Sequence, residues 1–208
     1  MRRSFLYIVL SILSTSGATA GENYNAGRFH FGLEWGYGQG IYSYSHINII
    51  SQEGYRINET SRGFWRKSNG KVLAKIGYDL HEKVNLSLCA GWTGISEDCQ
   101  AYPLLLRLGF APKGLYNEGF FTFIDGGIGF RAEIEEYSKA VLPILDAGEG
   151  YRLWLAPNFC LDFMLSIRTA FDSPLIRNPE GPGIVKKENI RHNVAEFYSV
   201  NISIALSF

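Results

Sequence analysis

The chain predicts an all-β fold: eight antiparallel strands closing into a transmembrane up-and-down barrel. Three observations lead there. Residues 196–208 alternate, with Tyr198, Val200, Ile202, Ile204, Leu206 and Phe208 on one parity and Phe197, Ser199, Asn201, Ser203, Ala205 and Ser207 on the other. Successive strand side chains point to opposite faces, so one face is continuously apolar and the other small and mostly polar. Seven further segments alternate in the same way. After an N-terminal leader-like stretch, no apolar run is long enough to cross a bilayer as a helix.

The elements follow in order. The first strand, 28–38, sets Phe29, Phe31, Leu33, Trp35 and Tyr37 against His30, Gly32, Glu34, Gly36 and Gly38. The second, 71–80, sets Val72, Ala74, Ile76, Tyr78 and Leu80 against Lys71, Leu73, Lys75, Gly77 and Asp79. The third, 84–94, has Val84, Leu86, Leu88, Ala90 and Trp92 opposite Asn85, Ser87, Cys89, Gly91 and Thr93. The fourth, 102–110, places Leu104, Leu106, Leu108 and Phe110 opposite Leu105, Arg107 and Gly109. In the fifth, 119–131, Ile124, Ile128 and Phe130 oppose Asp125, Gly127, Gly129 and Arg131, while Phe121 and Phe123 break the pattern. The sixth, 149–155, is short and ambiguous in parity. The seventh, 159–172, sets Phe159, Leu161, Phe163, Leu165, Ile167 and Phe171 against Asp162, Ser166, Arg168 and Asp172, and 196–208 is the eighth.

The connections vary in length. Those at 39–70, 95–101, 132–148 and 173–195 interleave with tighter turns at 81–83, 111–118 and 157–158, of which 111–118 is the loosest. Short turns on one side and longer loops on the other are the signature of barrels crossing an outer membrane. Alternation alone does not orient the faces, because a soluble lipocalin-like barrel also alternates, with its apolar face inside. Three features favour lipid outside. The apolar face holds about thirty large side chains, more than an eight-stranded interior can pack. The polar face is rich in Gly, Ser, Asn and Asp rather than in the Lys and Glu of a solvated exterior. Aromatics gather at both ends of the apolar face: Phe29, Phe110, Phe159 and Phe208 at one, and Trp35, Tyr37, Trp92, Phe130, Phe171 and Tyr198 toward the other. Two such girdles suit two membrane–water interfaces.

The closing segment resembles the last strand of Gram-negative outer-membrane barrels, and the chain as a whole resembles the small OmpA/OmpX-like, porin-family barrels. The resemblance implies that Tyr198, Val200, Ile202, Ile204, Leu206 and Phe208 are read by the barrel-assembly machinery. It also implies outer-membrane lipid and lipopolysaccharide as surroundings, and a multi-pass β-barrel in the cell outer membrane. The N-terminus gives the same address. Arg2 and Arg3 precede an apolar run from Phe5 to Leu13, and Ala18-Thr19-Ala20 offers a small-x-small cleavage site. That is a secretory signal peptide over 1–20, leaving 21–208 as the barrel domain. Its removal takes Lys+Arg from 20 to 18 against 20 Asp+Glu, a formal charge of −2. This near-neutral balance gives no sign of a nucleic-acid partner. No peptidoglycan-binding domain is expected after Phe208.

The inward face carries the chemistry. Glu34, Asp79, Asp125 and Asp162 are negative; Lys75, Arg107, Arg131, Arg168 and Arg152 are positive. In a narrow lumen these must pair or be solvated. The expectation is an ion-pair network filling the barrel, with a narrow ion or solute channel as the alternative. A lipid A-modifying acyl hydrolase is a third reading. Such chemistry needs a nucleophile, a base and an orienting carboxylate in reach. His30 is followed two later by Gly32, Ser87 and Ser166 have no histidine at that spacing, and His46 and His192 approach Ser173 and Asp172 only through long loops. The chain is therefore read as non-enzymatic, with no cofactor or metal site. The three cysteines, Cys89, Cys99 and Cys160, lack metal-ligand spacing, and a Cys89–Cys99 bridge stays open.

The long connections carry any surface function. In 39–70, Ile41, Ser43, Ser45, Ile47 and Ile49 continue one parity, and Tyr42, Tyr44, His46 and Asn48 the other. Strands projecting above the bilayer would give this pattern and offer edges to a protein partner. The expected role is structural or surface-interacting.

Overall fold

The computed structural model describes residues 29–51, 54–64, 66–96, 99–132, 140–156, 159–174, 176, 178 and 183–208. The expected leader over 1–20 lies outside them. The strands are β1 (Phe29–Ile50), β2 (Arg56–Phe64), β3 (Ser68–His81), β4 (Val84–Ser96), β5 (Cys99–Phe110), β6 (Gly119–Arg131), β7 (Val141–Ala156), β8 (Phe159–Asp172) and β9 (Ile190–Ser207). Eight of them close an antiparallel barrel in the order β1-β3-β4-β5-β6-β7-β8-β9, with β9 returning to β1. β2 stands outside the ring and pairs with the second half of β1.

Closure leaves no open edge in the barrel wall. The β1–β9 seam is finished by Phe31 and Phe208, each donating its backbone N–H to the other's carbonyl at 2.8 and 2.9 Å. Phe29 and Phe208 therefore share one rim with the turns at 82–83 and 111–118. Those turns are tied together where Ala111 N donates to Lys83 O and Leu115 N to Glu82 O.

The faces are as the alternation requires. Phe31, Leu33, Ile76, Leu88, Leu106, Ile124, Leu145, Leu165 and Ile202 are exposed on the outer wall, whereas Glu34, Asp125, Asp162, Arg107 and Arg168 are buried inside. Aromatic pairs mark both edges of this apolar belt. Phe29–Tyr78 and Phe120–Tyr151 stand at the short-turn edge, with ring centroids 4.9 and 5.0 Å apart. Tyr42–Tyr198, at 5.9 Å, stands at the other. A continuous apolar outer wall is solvated by hydrocarbon, and a closed barrel crosses a bilayer with every wall backbone group paired. The molecule is a multi-pass outer-membrane β-barrel of the small eight-stranded kind.

Four expectations about the elements need correction. The segment 39–70 is not a plain connection but follows the projecting-strand reading: β1 runs on to Ile50 and returns as β2. β9 begins at Ile190, so the final strand is longer than 196–208. β7 begins at Val141, within what the sequence offers as the 132–148 connection. The cause lies inside the barrel. At that level the lumen is filled by Leu142 and Ile144 together with Leu73, Leu105, Ile95, Ala101 and Ala170, so both faces of β7 start apolar and alternation vanishes. Pro143 also argues against a strand interior when only sequence is in hand. Finally, Phe121 and Phe123 face inward beside Asp125. They serve as π-faces for lumen guanidinium groups: Arg107 lies 4.5 Å from the Phe123 centroid and Arg152 5.3 Å from that of Phe121.

Candidate functional site

The lumen is built from charged side chains that β-alternation forces inward. Its central chain starts at Asp125 on β6. Arg107, opposite it on β5, donates Nε and Nη2 to the two Asp125 oxygens at 2.7 Å each. Arg107 Nη1 reaches across to Glu34 Oε2 on β1 at 2.8 Å. Glu34 Oε1 meets Lys71 Nζ on β3 at 2.5 Å, and Lys71 lies 4.0 Å from Asp146 on β7. Arg168 on β8 donates to Asp146 at 3.2 Å and to Thr93 Oγ1 on β4 at 2.6 Å. Side chains from seven of the eight ring strands thus join in one chain across the lumen. Nearer the loop end, Arg131 pairs with Asp172. Nearer the short-turn rim, Arg152 holds both oxygens of Asp162 at 2.7 and 2.8 Å and donates to Leu115 O.

Of the residues singled out from sequence, Glu34, Asp125 and Arg107 come together. Asp162 pairs with Arg152, also among the expected charges, whereas Arg168 and Arg131 pair with residues outside that set, Asp146 and Asp172 respectively. Asp146 was hidden because its strand was read as loop. Asp79 accepts from Tyr116 Oη at 2.5 Å and from Asn85 Nδ2 at 3.1 Å, with His30 Nδ1 3.5 Å away. Asn85 Nδ2 also lies 3.2 Å from His30 Nε2. Lys75 has no hydrogen bond or ion pair among the described residues, although it is buried. Cys89, Cys99 and Cys160 are buried free thiols. Cys89 pairs with Leu105 and Cys99 with Ser96, which sets the first two at different heights of the β4–β5 ladder.

At the loop end, β2, β1 and β9 form a three-stranded sheet rising above the ring. A bulge in β1 between Gly40 and Tyr42 switches its parity relative to β9. Below the bulge the odd residues face outward; above it Tyr42, Tyr44, His46 and Asn48 share the face of Tyr198. Ile47 and Ile49 turn the other way and pack with Ile57, Ile176, Val185 and Ile190. The parity therefore does not simply continue through 39–70. The outer face of this sheet carries Tyr42, Tyr44 and Tyr198, with Arg62 lying 5.2 Å over the Tyr44 ring. His46 and His192 sit with ring centroids 4.8 Å apart, and His46 Nε2 meets Asn58 Oδ1 at 2.9 Å. Among the described residues no hydrogen bond joins these histidines to Ser173 or Asp172. Ser173 Oγ donates to Asn193 O, and Asp172 is taken by Arg131 and the Ser173 N–H. Among the described residues no three His, Cys, Asp or Glu side chains are grouped to hold a metal ion.

No protein-family model matches the chain, and no curated protein matches it in sequence. Solved structures resemble it in fold. The outer membrane protein OprG from Pseudomonas aeruginosa is 13% identical, with a TM-score of 0.46 over 89% of this chain and 98% of that one. Neisserial surface protein A is 11% identical, with a TM-score of 0.42 over 88% of this chain and 98% of that one. Ail, the attachment invasion locus protein of Yersinia pestis, is 15% identical, with a TM-score of 0.40 over 88% of this chain and all of that one. These are likenesses of outline only.

Proposed function

We propose that the protein is a non-catalytic outer-membrane barrel that presents the projecting β2–β1–β9 sheet to a partner at the cell surface. The leader over 1–20 directs export, and the residues from Tyr198 to Phe208 address the chain to the barrel-assembly machinery. The observation that carries the reading is the composition of the sheet's outer face. Tyr42, Tyr44, Tyr198, His46, His192 and Arg62 stand together on a strand-built platform. Tyr and Arg are the residues most enriched where proteins bind proteins, because they give large contact area and several donors at small entropic cost. β2 adds a nine-residue outer edge, Arg56–Phe64, paired on one side only. The lower rim of the platform meets lipopolysaccharide. A lumen crossed by paired charges supports a closed barrel over a channel.

The test is a photoreactive residue in place of Thr60 in the protein assembled in living cells. A discrete protein adduct, lost in the Tyr42→Ala/Tyr44→Ala/Arg62→Ala variant, is expected. Adducts with lipopolysaccharide alone, or none, would remove the surface-partner reading.

A further inference from the structure

Glu149 stands on the outside of the barrel. On β7, Leu142, Ile144 and Asp146 are buried in the lumen, whereas Val141, Leu145, Tyr151 and Leu155 are exposed on the outer wall. Glu149 shares the parity and the exposure of the second group. Among the described residues it is the one acidic or basic side chain on that wall between the two aromatic edges. It has no hydrogen bond or ion pair among those residues. An ionisable group facing lipid is costly and rare, and it marks a place where something answers the charge.

Its neighbours have the form of a lipid seat. Thr122 lies opposite Glu149 on β6, and Leu165 on β8. Toward the short turns, Phe120 and Tyr151 form the edge pair, with ring centroids 5.0 Å apart. Two residues of a tilted strand rise about 5 Å, so Glu149 lies just inside the level where girdle aromatics meet lipid head groups. Toward the midplane, Ala147 and Gly126 leave the wall low between Ile124 and Leu145. A Cβ at Gly126 would meet only Leu145 Cδ2, at 3.6 Å. A carboxylate, a hydroxyl and two aromatic rings thus gather at head-group depth, and a shallow apolar dip leads from them into the hydrocarbon.

Charge selects the occupant. A second copy of the barrel would bring apolar wall or another carboxylate, because no outward cation stands between the aromatic edges among the described residues. A phospholipid with an ammonium head group brings the complementary charge at the right depth and an acyl chain for the dip. We propose that Glu149 and Thr122 hold the primary ammonium of such a phospholipid over the Phe120–Tyr151 pair, with one acyl chain laid against Ala147 and Gly126. A primary ammonium donates to the carboxylate and to the hydroxyl oxygen, and the ring faces attract it. A quaternary ammonium has no hydrogen to donate. The site lies at the opposite end of the barrel from the β2–β1–β9 sheet and does not depend on it.

The methyl resonances of Thr122 and Ala147 read occupancy. The purified barrel in nanodiscs of dioleoylphosphatidylcholine is titrated with dioleoylphosphatidylethanolamine. Both methyls are expected to shift and to saturate while the ethanolamine lipid is still the minor component, a preference over choline of about fivefold. Ala74 and Ala90, on the outer wall of β3 and β4, are expected to follow the bulk composition without saturating. Glu149→Gln keeps the size of the side chain and should abolish the saturation. Ala147→Leu fills the dip and should weaken it, read at Thr122. Saturation retained in Glu149→Gln, or non-saturating shifts shared by all four methyls, would overturn the site. A dimer in the nanodiscs that is lost in Glu149→Gln would assign the carboxylate to a second copy and overturn the lipid as occupant.

Discussion

Arg107 shows how a single side chain can set the character of the lumen. Its guanidinium is satisfied by Asp125 on one side and Glu34 on the other, and its flat face rests on Phe123. Truncation to alanine leaves two buried carboxylates short of a partner, and breaking a buried pair by removing one member costs about 3–5 kcal/mol. Urea unfolding of Arg107→Ala in lipid vesicles should show a loss of that size; a loss below about 1 kcal/mol would mean that water already screens the pair. Arg152→Ala tests the same rule where a substitute is at hand. Asp162 loses its fork, but Lys75 stands within electrostatic reach and takes part of the load. The loss for Arg152→Ala should therefore be smaller than for Arg107→Ala. A larger one would place Lys75 too far from Asp162 to help.

Strands were legible because a period of two is hard to disguise when one face meets lipid and the other a filled lumen. From sequence, Ile204→Arg is expected to damage insertion far more than Ser203→Arg or Ala205→Ser, on the ground that the lumen is polar. Ile204 lies on the apolar wall, where arginine costs about 2–4 kcal/mol at the midplane and less near an interface. The packing narrows that margin, because Ser203 is 3% exposed and its hydroxyl fills the space a Cβ at Gly36 would need. An arginine there overpacks the lumen, so the tolerated inward change is Ala205→Ser. Folding yields into vesicles should therefore fall for both Ile204→Arg and Ser203→Arg and hold for Ala205→Ser; a normal yield for Ser203→Arg would mean a lumen wider than its packing implies. Alternation misled wherever the lumen itself becomes apolar, as at Leu142 and Ile144, or where an aromatic faces a guanidinium, as at Phe121 and Phe123. It misled again at the β1 bulge, since an inserted residue flips faces without changing composition. The lumen charges were legible as a set, whereas their pairing depends on the register between strands and was not. β2 was beyond reach for a related reason: Arg56–Phe64 buries almost nothing and pairs along one side only. Replacing 54–64 by a short turn should accordingly leave the barrel's free energy of unfolding in urea within about 1 kcal/mol of the original, and loss of folding would make β2 part of the barrel's own structure.

Across the whole molecule, two closures act at right angles: the seam closes the wall, and the charge chain closes the bore. Phe208 belongs to the first, through its paired backbone hydrogen bonds with Phe31. Phe208→Ala keeps those backbone bonds and removes the ring, so purified protein should refold in vesicles while assembly in cells falls. Normal assembly in cells would show that the terminal aromatic is not read. The second closure is redundant, because Arg168–Asp146 and Arg131–Asp172 stand in series with Arg107, and Leu73, Leu105, Leu142 and Ile144 fill the space among them. An ion crossing this bore would have to shed its hydration and displace several pairs in turn, each costing several kcal/mol. Wild-type protein in planar bilayers should therefore show no steady conductance, and Arg107→Ala, stripped of one layer only, should stay silent while losing stability. Steady, ion-selective current through the wild type, altered by Arg107→Ala without a stability cost, would mean that the same charges line a hydrated path and that the barrel is a narrow channel.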